Sequence, residues 1–253
     1  MGTTSKRWPL AAALIAVGAA LEGAAVTLVW RPCAGQMLNG SALQGYRYDS
    51  PFTEACATAM DEAPMFVLPQ AGDGWLAAGS LGALAGVLLA AAWLVLLPTL
   101  QVSRRVKLIA ALPGVLSLGL VGTATALAVA PGAIDEGIGR FLLLSGELSA
   151  AVALFALALA GVSGSMLLRY GIVAFAATSV GLFHQLTEYV FAIGLSDANW
   201  DAPPGAGYLT VATCLLAALA TAALWWRDDR PVRAPSGAPA TVPPAWQPSP
   251  ASG

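Results

Sequence analysis

The stretch "PLAAALIAVGAALEGAAVTLV", residues 9–29, contains a single ionisable side chain, Glu22. A helix needs about 20 consecutive, mostly apolar residues to cross the hydrocarbon core of a bilayer. The whole chain has the same character, because 57% of its residues are hydrophobic and only 10% are charged. An ordinary soluble domain is about 25% charged. The sequence therefore predicts a multi-pass membrane protein, with the lipid bilayer as its partner and no nucleic acid.

Further apolar runs of similar length predict an all-α bundle of six transmembrane helices within residues 1–229. The predicted spans are 9–29, 75–97, 108–130, 141–162, 171–194 and 208–226. Only "SGSMLLRYG", residues 163–171, separates the fourth span from the fifth, and its glycines favour a tight hairpin. The alternative is one tilted helix followed by a re-entrant segment.

The distribution of basic residues predicts the orientation, because short cytoplasmic loops of membrane proteins are enriched in Lys and Arg. If the amino terminus is cytoplasmic, nine of the 12 basic residues lie on that side: Lys6, Arg7, Arg104, Arg105, Lys107, Arg169, Arg227, Arg230 and Arg233. The outer side then holds only Arg31, Arg47 and Arg140. We expect a plasma-membrane protein with both termini in the cytoplasm.

The outer loop, residues 31–74, is the one predicted connection long enough to fold, and it contains Cys33 and Cys56. Cysteine pairs outside the cytoplasm generally oxidise, so we predict a disulfide between these two residues. Ser50 and Pro51 are typical of a helix start. The apolar residues that follow have helical spacing and place Cys56 on the apolar face. The bridge would staple this helix to the end of the first span and stabilise the loop by about 3 kcal/mol.

The final segment, residues 230–253, is rich in Pro, Ala and Ser. So few apolar side chains cannot bury enough surface to offset the entropy of ordering, which predicts a disordered cytoplasmic tail. In the second span, Gly82 and Gly86 have the Gly-x-x-x-Gly spacing that lets a neighbouring helix approach closely. That neighbour belongs to this chain, to a second copy in a homo-oligomer, or to another membrane protein.

The bias toward Ala, Gly, Leu, Val and Pro accompanies an outer-loop pattern, "RPCAGQMLNGS…FTEACATAMDE". In these features the chain resembles small multi-pass membrane proteins of high-GC Gram-positive bacteria whose function is unassigned. The resemblance covers mainly the first span and the outer loop. It implies a plasma-membrane location and supplies no catalytic residue.

Four ionisable side chains inside the predicted spans are the candidate functional residues: Glu22, Glu147, His184 and Glu188. A charge at mid-bilayer costs about 2.5–3.5 kcal/mol on insertion scales, so such groups usually face the bundle interior and mark function. The helical rise places the carboxylates in the outer half of the bilayer and His184 near its midplane. His184 precedes Glu188 by one helical turn, so we expect these two side chains to share a face and to interact.

Three functions are compatible with this acidic layer. The carboxylates form hydrogen bonds that hold the helices of a binding or assembly protein together. Alternatively, they line a cavity that binds a proton, a cation or a solute in a transporter. In the third alternative they hold a metal with His184 in an intramembrane enzyme, but catalytic zinc sites often use two or more His and this chain has one. We favour the first function and predict no catalytic residue, metal or cofactor.

Overall fold

The computed structural model describes residues 6–39, 41, 43, 52–64, 66–71, 76–132, 134–195 and 202–229. Within these ranges the chain forms eight α-helices and no strand, which confirms the all-α prediction. The helices are α1 (Arg7–Val29), α2 (Glu54–Glu62), α3 (Leu76–Leu94), α4 (Arg104–Val129), α5 (Glu136–Leu159), α6 (Gly164–Ala177), α7 (Leu182–Leu195) and α8 (Tyr208–Asp229). The predicted tail, residues 230–253, lies outside the described residues.

Five segments are long and apolar enough to cross a membrane. They are Arg7–Val29, Leu76–Thr99, Arg104–Val129, Gly137–Leu159 and Tyr208–Arg227. The pair α6 and α7 also has the composition of a span, but its two helices are bent by 79° relative to each other. The described part of the chain therefore has five membrane-length helices, or six if the bent pair is counted as one span.

The region of the predicted fourth and fifth spans differs from the expectation in two ways. The turn after α5 is shorter than the predicted hairpin, because α6 already begins at Gly164. Gly161 permits this turn by adopting φ +82°, which side chains disfavour. In addition, the predicted continuous helix 171–194 is interrupted at residues 178–181. There the Thr178 hydroxyl donates to the carbonyl of Ala174 at 2.9 Å, a local bond that often bends helices.

Small residues bring the helices close together. α1 packs against α3 and α8, α4 packs against α5, and α6 contacts α3, α5 and α8. The core contains many alanines together with the large buried side chains of Ile15, Leu89 and Trp93. A Cβ on Gly18 would lie 2.9 Å from Cγ of Leu89, so the absence of a side chain at 18 allows α1 and α3 to pack closely.

The outer loop forms a cap that is joined to the bundle. Cys33 and Cys56 are bonded as predicted, with their Cα atoms 4.7 Å apart. The helix that carries Cys56 begins later than expected, because Thr53 rather than Ser50 caps it by accepting a hydrogen bond from the Cys56 N–H at 3.3 Å. Ser50 and Pro51 lie outside the described residues. Ala202 N–H donates to the carbonyl of Met60 at 3.0 Å and ties the cap to the segment before α8.

The end of the outer loop, residues 66–69, returns into the bundle beside α3. A Cβ on Gly82 would lie 1.7 Å from the carbonyl oxygen of Val67, so only glycine admits the loop here. A Cβ on Gly86 would lie 2.7 Å from a methyl group of Val121 in α4. Both glycines are thus packed against residues of this chain. This packing favours a neighbour within the chain over a second copy or another membrane protein.

Candidate functional site

Glu22 lies in the second half of α1 and is 1% exposed. Its Oε1 accepts a hydrogen bond from the backbone N–H of Val67 at 2.8 Å. Its Oε2 has no hydrogen-bond partner among the residues that the structure describes. Since backbone groups inside a membrane must be satisfied by the protein, Glu22 holds the returning end of the outer loop in place.

Glu147 lies on α5, opposite the beginning of α7. Its Oε1 accepts a hydrogen bond from the backbone N–H of His184 at 2.9 Å, and its Oε2 accepts one from that of Phe183. Backbone N–H groups in the first turn of a helix lack a partner within the helix. Glu147 therefore caps α7 from a neighbouring helix and places its carboxylate at the positive end of the helix dipole.

The close approach of Glu147 depends on Gly181, the residue directly before α7. A Cβ at this position would lie 2.5 Å from Cγ and 2.6 Å from Cδ of Glu147. Any side chain at 181 would therefore displace the carboxylate from the N–H groups that it caps.

His184 is 9% exposed, and its Nδ1 is hydrogen-bonded to Oε1 of Glu147. The imidazole packs on the ring of Phe175, with ring centroids 4.1 Å apart. An ionised carboxylate only accepts hydrogen bonds, so Nδ1 is the nitrogen that carries the proton in a neutral imidazole. Nε2 has no partner in the described part of the chain.

Glu188, one turn further along α7, is 4% exposed and contacts the beginning of α8. Its Oε1 accepts from the backbone N–H groups of Gly207 at 2.8 Å and Leu209 at 3.2 Å. Its Oε2 accepts from the N–H of Thr210 at 2.7 Å and from the Thr210 hydroxyl at 2.8 Å. Glu188 thus caps α8 as Glu147 caps α7.

The three carboxylates share one role in the fold. Each accepts backbone N–H groups at a point where a helix begins or a loop enters the bundle. An unsatisfied backbone group in the hydrocarbon region costs several kcal/mol, so these interrupted elements need such acceptors. The sequence identifies the carboxylates but not their partners. The signal that points to the partners is glycine directly before an apolar run, at Gly181 and Gly207.

A cavity of about 360 Å³, which we call the lateral cavity, lies between α5, α6, α7 and α8. Its apolar wall is formed by Ala150, Ala151, Leu154, Gly171, Ala174, Phe175, Phe183 and Leu209. Its polar groups are Glu147, Thr178, His184, Thr187, Glu188, Thr210 and Thr213. Ala151, Phe183 and Thr187 are exposed, so the cavity opens at the side of the bundle. Binding sites for small molecules typically have this volume and this mostly apolar lining.

An open apolar groove extends from the lateral cavity between α6 and α8. The cavity and the groove share Gly171, Phe175 and Thr213. The rest of the groove is formed by Leu167, Leu168, Ile172, Leu216, Ala217 and Ala220. The two spaces together therefore provide a polar site with an apolar extension.

The structure brings three of the four sequence-predicted site residues together. Glu147, His184 and Glu188 line the lateral cavity, whereas Glu22 lies beside the outer loop. The expected contact between His184 and Glu188 does not form; His184 contacts Glu147 instead. The reason is that α7 begins at Leu182, so His184 is in its first turn and its side chain leans toward the helix start, where Glu147 lies.

The described residues contain no group of three or more His, Cys, Asp or Glu side chains that could hold a metal. Comparison with known proteins adds no relative: no protein-family model, no curated protein and no solved structure matches this chain.

Proposed function

We propose that this chain is an integral membrane binding protein whose ligand occupies the lateral cavity. The protein crosses the plasma membrane six times, with α6 and α7 together forming the fifth span. Both termini are cytoplasmic. The distribution of basic residues supports this orientation, since Arg104, Arg105 and Lys107 all lie in the first turn of α4, at one end of that span.

One observation carries the proposal, namely that the lateral cavity opens sideways and has polar groups beside an apolar wall. In a membrane protein the side of the bundle faces lipid, so a ligand that is dissolved in the bilayer can enter directly. The apolar wall would contact its hydrophobic part. His184 and the neighbouring hydroxyl groups would orient its polar part.

The hydrogen bonds of the carboxylates support binding rather than charge transport. Glu188 accepts four hydrogen bonds and Glu147 accepts three, mostly from backbone groups that cannot move without unwinding α7 or α8. A carboxylate that cycles a proton or a cation must exchange its partners. These two carboxylates are instead occupied in holding helix ends.

A second candidate function is a proton or cation carrier, and the break between α6 and α7 favours it. Discontinuous helices near the middle of the membrane form the binding sites of many secondary transporters. In that case Glu147 and His184, which lie at the break, would carry the exchanging charge. Proteoliposomes with an imposed proton gradient would then show a flux that Glu147→Gln abolishes.

The binding function is tested by filling the cavity. Ala151→Trp would place an indole in the opening, whereas Val152→Trp is the matched control, because Val152 is exposed and does not line the cavity. Each protein is purified from its membrane, and the molecules that it releases on denaturation are identified by mass spectrometry. We expect a retained ligand in wild type and Val152→Trp and its loss in Ala151→Trp. Equal amounts in all three proteins would contradict the proposal.

A further inference from the structure

His184 lines the polar end of the lateral cavity, and one of its ring nitrogens has no hydrogen bond within the part of the chain that the structure describes. Nε2 of His184 has no partner among the residues described, and the side chain is 9% exposed. Buried polar groups in folded proteins are nearly always hydrogen-bonded. A ligand in the cavity would supply the missing partner.

The other nitrogen of the ring determines which partner Nε2 requires. Nδ1 is bonded to Oε1 of Glu147, which also accepts the backbone N–H of His184. With Glu147 ionised and the imidazole neutral, the proton resides on Nδ1 and Nε2 is a hydrogen-bond acceptor. The group that completes the site is a donor.

The charge around the cavity restricts the donor further. Glu147 and Glu188 both line the cavity, and no Lys or Arg is among the lining residues that the structure describes. An anionic head group would be repelled by two carboxylates at short range, where screening by water is weak. A hydroxyl group meets both requirements, because it is uncharged and donates a hydrogen bond.

The groove between α6 and α8 accounts for the remainder of the ligand. It begins at the cavity, at Gly171, Phe175 and Thr213, and continues along apolar side chains. A hydrocarbon chain that leaves the cavity would lie in this groove and remain in contact with both helices.

We propose that the ligand is a single-chain amphiphile with an uncharged hydroxyl head group. The hydroxyl donates to Nε2 of His184, and the chain lies along the groove between α6 and α8. This inference rests on the proposed binding function, because it assigns the chemical class of the ligand for the same cavity.

The test uses the full-length protein in nanodiscs of phosphatidylcholine, whose head group has no hydrogen-bond donor. Three photoreactive probes of equal chain length carry a diazirine near the chain end and differ only in the head group. They are a primary alcohol, its methyl ether and the corresponding carboxylate. We expect the alcohol to label peptides of α6 and α8 with half-saturation at about tenfold lower concentration than the other two, the factor that one hydrogen bond provides.

Two variants assign the preference to His184. In His184→Asn the shorter amide retains a donor near the position of Nδ1 and lacks an acceptor at the position of Nε2. We expect this variant to label equally with the alcohol and the ether. Ser145→Ala is the matched control, because it removes a hydroxyl group that does not line the cavity and whose proton is already donated to the carbonyl of Phe141. It should keep the tenfold preference.

The outcomes separate this inference from the binding function. Suppose that the alcohol and the ether label wild type equally and that Ala151→Trp loses the labelling by both probes. This result would overturn the hydroxyl assignment and leave the binding function standing. If Ala151→Trp does not reduce the labelling, both the hydroxyl assignment and the binding function are overturned. The same holds if the probes label none of the cavity helices in wild type. The comparison of the alcohol with the ether needs only wild type, so it is decisive even if His184→Asn does not fold.

Discussion

Glu147 and Glu188 perform at helix starts the task that Ser, Thr or Asp performs in soluble proteins, but each acts from a different helix. A side chain that caps its own helix fixes only local structure. A carboxylate that caps another helix also fixes the distance between the two. Glu147 joins α5 to α7, and Glu188 joins α7 to α8. The same side chains therefore set the shape of the lateral cavity.

The role of Glu188 predicts an order of stabilities. Glu188→Gln loses part of the cap. The amide nitrogen of Gln would take the position of one carboxylate oxygen, and an N–H donor there cannot accept the hydrogen bond that Oε2 accepts from the N–H of Thr210. Glu188→Leu loses all four hydrogen bonds and should be the less stable variant. We expect losses of about 1.5–3 kcal/mol for Glu188→Leu, as for hydrogen bonds to charged groups, and less for Glu188→Gln. The measurement is thermal unfolding in detergent, with the exposed Thr187→Val as control. A Leu variant as stable as wild type would contradict the capping role.

The contact between Gly181 and Glu147 predicts that substitution by alanine lowers stability at Gly181 but not at Gly146. Gly181→Ala places a methyl group against the side chain of Glu147 and should destabilise the protein by about 1–3 kcal/mol, the usual range for overpacking. Gly146→Ala is the control, because a Cβ on Gly146 meets nothing within 4 Å and alanine favours a helix. This control should be neutral or slightly stabilising. Melting curves of the two variants in one detergent make the comparison, and equal effects would show that Gly181 is not needed for the cap.

At the scale of elements, periodicity and apolar length predict the membrane-length helices but not the interruption between α6 and α7. Residues 171–194 form one apolar run with Thr178, Ser179 and Gly181 in the middle. Such residues are tolerated inside a helix, so they do not by themselves predict a break. The decisive partner is Glu147, which is more than 30 positions away and makes a second helix start possible at Leu182. A contact between distant residues has no local pattern in a sequence.

In the outer loop, by contrast, the sequence does predict a contact between distant residues. The prediction is a disulfide, and it rests on the oxidising compartment in which the loop is expected to lie. Cys33 and Cys56 are bonded, and both belong to a buried cluster that includes Trp30 and Met60. The sequence predicts this pair because the distribution of basic residues predicts that the loop lies outside the cytoplasm. It does not predict that residues 66–69 return into the bundle to meet Glu22, since that path depends on the space beside Gly82.

The disulfide predicts a redox-dependent stability of the cap. Reduction, Cys33→Ser or Cys56→Ser should each lower the free energy of unfolding by about 2–4 kcal/mol. Each substitution should also abolish the shift in gel mobility that reduction causes in wild type. Cys214→Ser is the control, because Cys214 is buried in α8 and does not take part in the bond. A mobility shift that survives Cys33→Ser would mean that a different pair is oxidised.

At the scale of the whole molecule, two buried clusters divide the bundle by depth. The larger one contains Ile15, Leu89 and Trp93 within the helices. The smaller one joins the outer ends of α1 and α8 to the disulfide and to α2. Glu22, two turns before the end of α1, accepts a hydrogen bond from the N–H of Val67 in the smaller cluster, so the outer cap extends into the bundle. The molecule is thus asymmetric along its long axis, with a folded cap at one end.

This asymmetry and the distribution of basic residues together predict the topology, which cysteine labelling in intact cells measures. The parent protein carries Cys214→Ser and keeps the Cys33–Cys56 disulfide, which does not react with a maleimide. Single cysteines are introduced as Gln70→Cys and Asp135→Cys on the predicted outer side, and as Arg104→Cys and Ser236→Cys on the cytoplasmic side. A membrane-impermeant maleimide should label the first two in intact cells and the last two only after permeabilisation. Labelling of Arg104→Cys from outside would reverse the orientation, because position 104 follows two spans and therefore lies on the same side as the amino terminus. Opposite results for Arg104→Cys and Ser236→Cys would instead refute the six-span count, because an even number of spans separates these two positions only if α6 and α7 together cross the membrane once.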